Sequence, residues 1–311
     1  MFQSTPLSGE ASSRSQFLIK ESLDFESVPS QDRSPWLAAQ AVDALLDEAR
    51  LAPKPGLVDS RGRGAHTDLD LDLMCRSARA LAPAFADMAE AAQAAGAPTL
   101  ALRETLGRLG REAEAIMMKT TQGINTHRGA IWAMGLLVAG AAIAPQAAAP
   151  ARTAQLAAAL ARLPDRHAPQ VTGHKGERAC RDFGVPGARG QAQAGFPQVI
   201  GRGLPELLRS RLRGDSETAS QLNALLAILS GLDDTCVLSR AGPAGLRALQ
   251  ENAAAVLAAG GVATLAGRRL LRRLDAQALA LNASPGGAAD LLAATLFLDR
   301  LDLRACRPSH F

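Results

Sequence analysis

GAIWAMGLLVAGAAIA, Gly129–Ala144, is the most hydrophobic stretch of the 311-residue chain, and its reading decides the fold. It is Ala/Gly-rich and ends at Pro145, short of the roughly 20 apolar residues a spanning helix needs. A buried central helix is therefore expected, with other helices packed around it and no membrane span. The rest of the composition agrees. Apolar content is carried by Ala and Leu, with eight Phe, two Trp and no Tyr, which favours helices over a β-sandwich.

Working outward, Thr99–Lys119 before the central helix carries Leu102, Leu106, Leu109, Ala113 and Ile116 as one apolar stripe at helical spacing. Ser34-Pro35-Trp36 places an N-cap residue before Pro and opens a helix to about Arg50. Another helix is expected from about Asp70 to Ala95. After the central helix come Ala151–Leu163, Ser216–Leu232, Pro243–Ala259, Val262–Leu281 and Pro285–Leu301, with Pro164–Pro205 read as one long irregular region. The expected fold class is all-α: a multi-helix bundle with polar, Gly-rich active-site loops between helices. Residues 1–33, without an apolar core, read as a flexible N-terminal tail, and 34–311 as a single helical catalytic domain.

Charge narrows the function classes. Formal net charge is +4 with dispersed Lys and Arg, so neither nucleic-acid binding nor a membrane partner is indicated, and a basic pocket for a phosphorylated small molecule fits. Cys75, Cys180, Cys236 and Cys306 form no C-x-x-C pair, which argues against a zinc site and for a reducing cytoplasm.

The chemistry-bearing residues sit in the breaks between helices. LAPKPGLVDSRGRGAHTDLD (Leu51–Asp70) offers Lys54, Arg61 and Arg63 for phosphate oxygens, and His66 beside Asp68 and Asp70. Clustered carboxylates suit Mg²⁺, whereas Asp68 or Asp70 alone also serves as a helix cap. Gly62 and Gly64 are half of a dinucleotide fingerprint with no strand before them. Gly107, Gly110 and Glu114 share one stripe of a helix, either for close packing with a solvated glutamate or for a glutamate facing a ligand. Asn125, Thr126, His127 and Arg128 precede the central helix, at a terminus suited to anions. Asp233 and Asp234 follow an apolar helix end, where they oppose its dipole unless a cation offsets them. Ser284, Pro285 and the amides of Gly286 and Gly287 form another anion-binding start, with Asp290 one turn on.

KPGLVDSRGRGAHTDLD, EAEAIMMKTTQGINTHRGAIW, GARGQAQAGFP, LDDT and SPGGAADLLAATLFL, in this order, resemble the signature blocks of triphosphoribosyl-dephospho-CoA synthases over Trp36 to Leu301. The likeness is closer to the malonate decarboxylase branch than to the citrate lyase branch. The resemblance implies a pentosyltransferase that moves the triphosphoribosyl group of ATP to 3′-dephospho-CoA and releases adenine. Its product is passed to a phosphoribosyl-dephospho-CoA transferase acting on an acyl carrier protein. A homo-oligomer is part of the expectation.

The implied site comprises Glu114, Asp68, His66 and His127 as catalytic candidates. Lys54, Arg61, Arg63, Asn125, Arg128, Arg189, Arg240, Ser284, Gly286 and Gly287 are candidate substrate contacts. Asp68, Asp70, Glu114, Asp233, Asp234 and Asp290 are candidate Mg²⁺ ligands. Displacement at the ribose anomeric carbon needs a base for the attacking hydroxyl and negative charge near an oxocarbenium-like centre. One direct displacement needs no covalent nucleophile, consistent with the lack of a Ser/His/Asp signature along the chain. Gln191, where Glu is usual, and Ser239 and Ala241 around Arg240, where His and Gly are usual, depart from the family pattern and drop Gln191 and Ser239 from the catalytic candidates.

Three rivals stand beside it. A helical Mg²⁺-dependent phosphohydrolase lacks its His-Asp dyad here. An ADP-ribosyl-hydrolase-like enzyme and a non-enzymatic nucleotide-binding bundle differ from the synthase in what they do with ATP and dephospho-CoA.

Overall fold

The computed structural model describes residues 33–144 and 149–305, with side chains to Leu301. The expected tail, except Arg33, and Cys306 lie outside the described residues. Among these the chain is all-helical, and its only β-type pairing is the isolated bridge Asp59–Gly62.

The N-terminal half comprises α1 (Arg33–Arg50), α2 (Leu71–Ala80), α3 (Ala82–Ala95), α4 (Leu100–Thr120), α5 (Arg128–Ile143) and α6 (Pro150–Arg162). The short helices α7 (Lys175–Phe183) and α8 (Gly187–Gln193) and a π-turn (Val199–Gly203) lead to α9 (Leu204–Leu212), α10 (Glu217–Leu229), α11 (Thr235–Ala258), α12 (Leu265–Ala280) and α13 (Gly286–Ala305).

The hydrophobic stretch is the central helix expected. From Ala130 to Ala142 every residue of α5 except Trp132 is buried, and α1, α3, α4, α6, α8 and α13 pack on it. Gly140 makes the closest approach: a Cβ there would stand 2.6 Å from the carbonyl oxygen of Thr153, so α6 lies against bare backbone. α13 returns from the C-terminal half to pack on α1, α5 and α10, so one continuous buried cluster runs from Leu37 to Leu301. No helix among the described residues is long and apolar enough to cross a membrane.

Three differences from the sequence expectation have local causes. The helix expected over Asp70–Ala95 is two, broken at Leu81, because Pro83 has no N–H to donate to the preceding turn and begins α3 instead. The region expected to be irregular, Pro164–Pro205, contains α7, α8, the π-turn and the start of α9; helices this short show no readable apolar period. Pro243 begins only the second part of α11. The first part starts at Thr235, and Gly242, at φ +65°, makes the kink between them.

Candidate active site

The loop from Leu51 to Asp70 divides into two parts. In the first, Lys54 is 1% exposed, and its Nζ donates to the Oε1 of Glu48 at 2.5 Å and to the Glu48 carbonyl at 2.6 Å. The buried Asp59 carboxylate accepts from the Lys54 amide at 2.8 Å and the Arg61 amide at 2.7 Å, and pairs with the Arg61 guanidinium. Arg61 also reaches Asp275 on α12, whose other oxygen accepts from the Gly56 amide. A Cβ on Gly56 would lie 2.4 Å from the Ala283 carbonyl, so this glycine lets the loop press on the chain just before Ser284. Lys54 is therefore held inside the fold and Arg61, though exposed, is held by two carboxylates, so both charges are already matched.

The second part faces outward. Asp70 caps α2 by accepting from the Leu73 amide at 2.9 Å, and Arg63 lies 3.3 Å from it. The Nε2 of His66 meets the Oγ of Ser284 at 2.9 Å. Its Nδ1 has Asp68 at 3.6 Å and an Arg240 nitrogen at 3.4 Å. Burial, Arg240 and Lys175 push His66 below the ordinary histidine value, against a smaller opposing pull from Asp68. Ser284, His66 and Asp68 are thus neighbours in space although no such signature exists along the chain.

The N-terminal turns of α5, α11 and α13 converge beside this histidine. Asp234 joins two of them: Oδ1 accepts from the Cys236 and Val237 amides of α11, and Oδ2 from the Ala288 amide of α13 at 2.9 Å. This corrects two expectations. Asp234 does not oppose a helix dipole; it caps the following helix. The first turn of α13 is not an open anion site, because the Asp234 carboxylate already fills it, and the Gly286 amide turns back to the Ser284 carbonyl. Burial lifts the Asp234 carboxyl above its ordinary value while the surrounding amides pull it back.

Asp290 joins the third turn. Its Oδ2 lies so close to Gly129, in the first turn of α5, that a Cβ there would stand 2.1 Å away. Desolvation, with Glu48 and Asp234 nearby, raises its carboxyl well above its ordinary value. Cys236 is exposed and lies beside Gly286, and the surrounding protein together with Asp234 and Asp290 pushes its thiol up.

His127, the N-cap residue of α5, is 2% exposed. Its Nδ1 meets the Ser77 hydroxyl at 2.9 Å, its Nε2 has no partner, and burial together with Lys54 brings it down to about 4. It lies beneath the site. Arg128 donates to Glu114 at 2.9 Å and its amide to Asn125, so Glu114 faces an arginine. Of the two glycines on the Glu114 stripe, Gly107 is matched by the Asp165 carboxylate against it. Arg189 is exposed on α8, near Arg103, which stacks on Trp132 at 5.2 Å. The Oε1 of Gln191 is buried without a partner.

The candidate metal ligands are not gathered: among the described residues no three His, Cys, Asp or Glu side chains form a group able to hold a metal ion. Asp70 and Asp234 serve as caps, Glu114 is paired, and Asp68 and Asp233 are exposed. Sequence reasoning missed Lys175, the first residue of α7, because its helix went unread, and Glu48, which looks like any surface glutamate on α1.

The family model described as ATP:dephospho-CoA triphosphoribosyl transferase matches residues 34–308. The 2-(5''-triphosphoribosyl)-3'-dephosphocoenzyme-A synthase of Klebsiella pneumoniae is 61% identical over 272 residues, 88% of this chain and 96% of that protein. A "Probable 2-(5''-triphosphoribosyl)-3'-dephosphocoenzyme-A synthase" of Pseudomonas fluorescens strain Pf-5 is 60% identical over 274 residues, 88% of this chain and 94% of its own. No solved structure matches.

Proposed function

Since the chain belongs to the ATP:dephospho-CoA triphosphoribosyl transferase family, we propose that it transfers the 5-triphosphoribosyl group of ATP to the 2′-hydroxyl of 3′-dephospho-CoA and that its product serves malonate decarboxylase. The observation that supports the site is convergence. His66, Gly129, Asp234, Ser284 and Asp290 come from four separate sequence blocks and meet at three helix starts. A fifth block joins them at Gly187, where a Cβ would lie 3.5 Å from Thr235.

In the reaction the bond between the ribose anomeric carbon and adenine breaks, and a bond from that carbon to the 2′-oxygen forms. The triphosphate stays intact, so it is held and not cleaved. Arg240 and Lys175, both near His66, with Arg63 on the same loop, supply positive charge for it. Arg128 and Arg189 stand at the α5–α8 side for the second anionic substrate. Among the described residues no three acidic, His or Cys side chains form a preformed metal cage, and Mg²⁺ accompanies ATP as its counter-ion. The described cysteines are free thiols, in keeping with a cytoplasmic enzyme.

Incubation with ATP, dephospho-CoA and Mg²⁺, followed by chromatography, tests the transfer. Adenine released only when dephospho-CoA is present is the expected result; ADP and phosphate would contradict it. The pathway is tested in cells: deletion of the gene should leave the malonate decarboxylase carrier subunit without its prosthetic group by intact mass, and a fully modified carrier would contradict that assignment.

A further inference from the structure

The attacking 2′-hydroxyl must lose a proton, and one imidazole at the convergence of helix starts has a nitrogen placed to take it. The Nε2 of His66 stands 2.9 Å from a hydroxyl, that of Ser284, while Nδ1 faces two groups of opposite effect. Asp68, 3.6 Å away, favours a proton on Nδ1 and leaves the Nε2 lone pair free. Arg240, 3.4 Å away, donates toward Nδ1 and favours the proton on Nε2. Neither contact is a short hydrogen bond, so the ring proton is not pinned. Arg240 is otherwise held only by the carbonyls of Ala65 and Asn282, at 3.0 and 3.4 Å, and an anionic substrate competes well for such a guanidinium.

Building on the transferase reading above, we infer that His66 is the general base of the transfer, with Asp68 orienting its productive tautomer and Arg240 holding the unproductive one until an anionic substrate engages it. In the transfer the imidazole turns Nε2 from the Ser284 hydroxyl to the 2′-hydroxyl. As the carbon–oxygen bond forms, its proton passes to Nε2 and the electron pair of the breaking carbon–nitrogen bond leaves with adenine. Adenine takes up a proton from solvent and His66 returns its own to solvent, so the account closes with one proton moved from the hydroxyl to adenine. Ser284 is not the nucleophile: it is 2% exposed within the turn that starts α13 and offers no line of approach to a ribose carbon.

The charged groups facing His66 are Asp68 on its own loop, Arg240 on α11 and Lys175 on α7. In the full chain, His66→Ala should lower kcat for adenine release at least about 100-fold, with ATP binding retained and partial rescue by added imidazole. His66→Asn, which keeps a polar group near Ser284, should fall as far, and Asp68→Asn less. An Asn variant within about threefold of wild type would make His66 a positioning residue and overturn the inference. So would failure of imidazole to rescue a folded, ATP-binding His66→Ala, or a triphosphoribosyl mass gain on enzyme treated with ATP alone. A wild-type enzyme releasing no adenine would instead overturn the transferase reading; an active wild type with active His66 variants overturns only the base.

Discussion

The two parts of the loop between α1 and α2 carry the same residue types and use them in opposite ways. From Leu51 to Arg61 each charge is matched by short contacts: Lys54 to Glu48, Asp59 to Arg61, and Arg61 to Asp275. From Arg63 to Asp70 the contacts are longer, with Arg63 3.3 Å from Asp70, and His66 is shared among Ser284, Asp68 and Arg240. A lysine or arginine in a family block is thus no guide by itself to a substrate contact. What distinguishes the two parts is how closely a partner of opposite charge is held, and substitutions should separate them into effects on stability and effects on rate.

The largest effect is expected at Lys54. Lys54→Met leaves the buried Glu48 carboxylate without its partner and should destabilise the fold by about 3–5 kcal/mol in chemical denaturation. A loss under 1 kcal/mol would mean that the inward pair is not what holds this part of the loop.

His127 comes next. Its folded value of about 4 lies below the ordinary histidine value of 6.5, so the unfolded chain binds the proton first and folding stability falls as pH drops through that window. About 3 kcal/mol should be lost between pH 7 and pH 4 from this group, and His127→Gln should flatten the curve by that amount. An unchanged slope would contradict the buried, neutral imidazole.

A smaller loss is expected at the joint between helix starts. Asp234→Asn keeps one acceptor but loses the charge shared by the turns of α11 and α13, at about 1–2 kcal/mol by thermal or denaturant unfolding. The smallest effect sharpens the outward part: Lys175→Met removes a cation near His66, so the acid limb of the adenine-release rate should move up by less than about one pH unit. A downward shift would contradict that placement.

The central helix and the all-helical class were legible because Gly129–Ala144 is apolar throughout and its neighbours show a helical period. Asp70 and Ser284 were legible as residues before a helix start. Asp234 was misassigned because the expected helices ran to Leu232 and from Pro243, which hid the helical turn that begins at Thr235, and only the fold shows which amides the carboxylate meets. His66 and Ser284 are 218 positions apart, and no local pattern announces their contact. Nor does one reveal that Lys54 is 1% exposed, since its partner is a glutamate on the preceding helix.

Hydrogen–deuterium exchange, compared with and without ATP plus dephospho-CoA, tests the division of the loop most directly. In the first part the amides of Lys54, Gly56, Asp59 and Arg61 are already hydrogen-bonded, so peptides over residues 51–61 should exchange slowly and stay unchanged. Peptides over 63–70 should gain protection when both substrates are added. Protection confined to 51–61, with none around His66, would contradict the account.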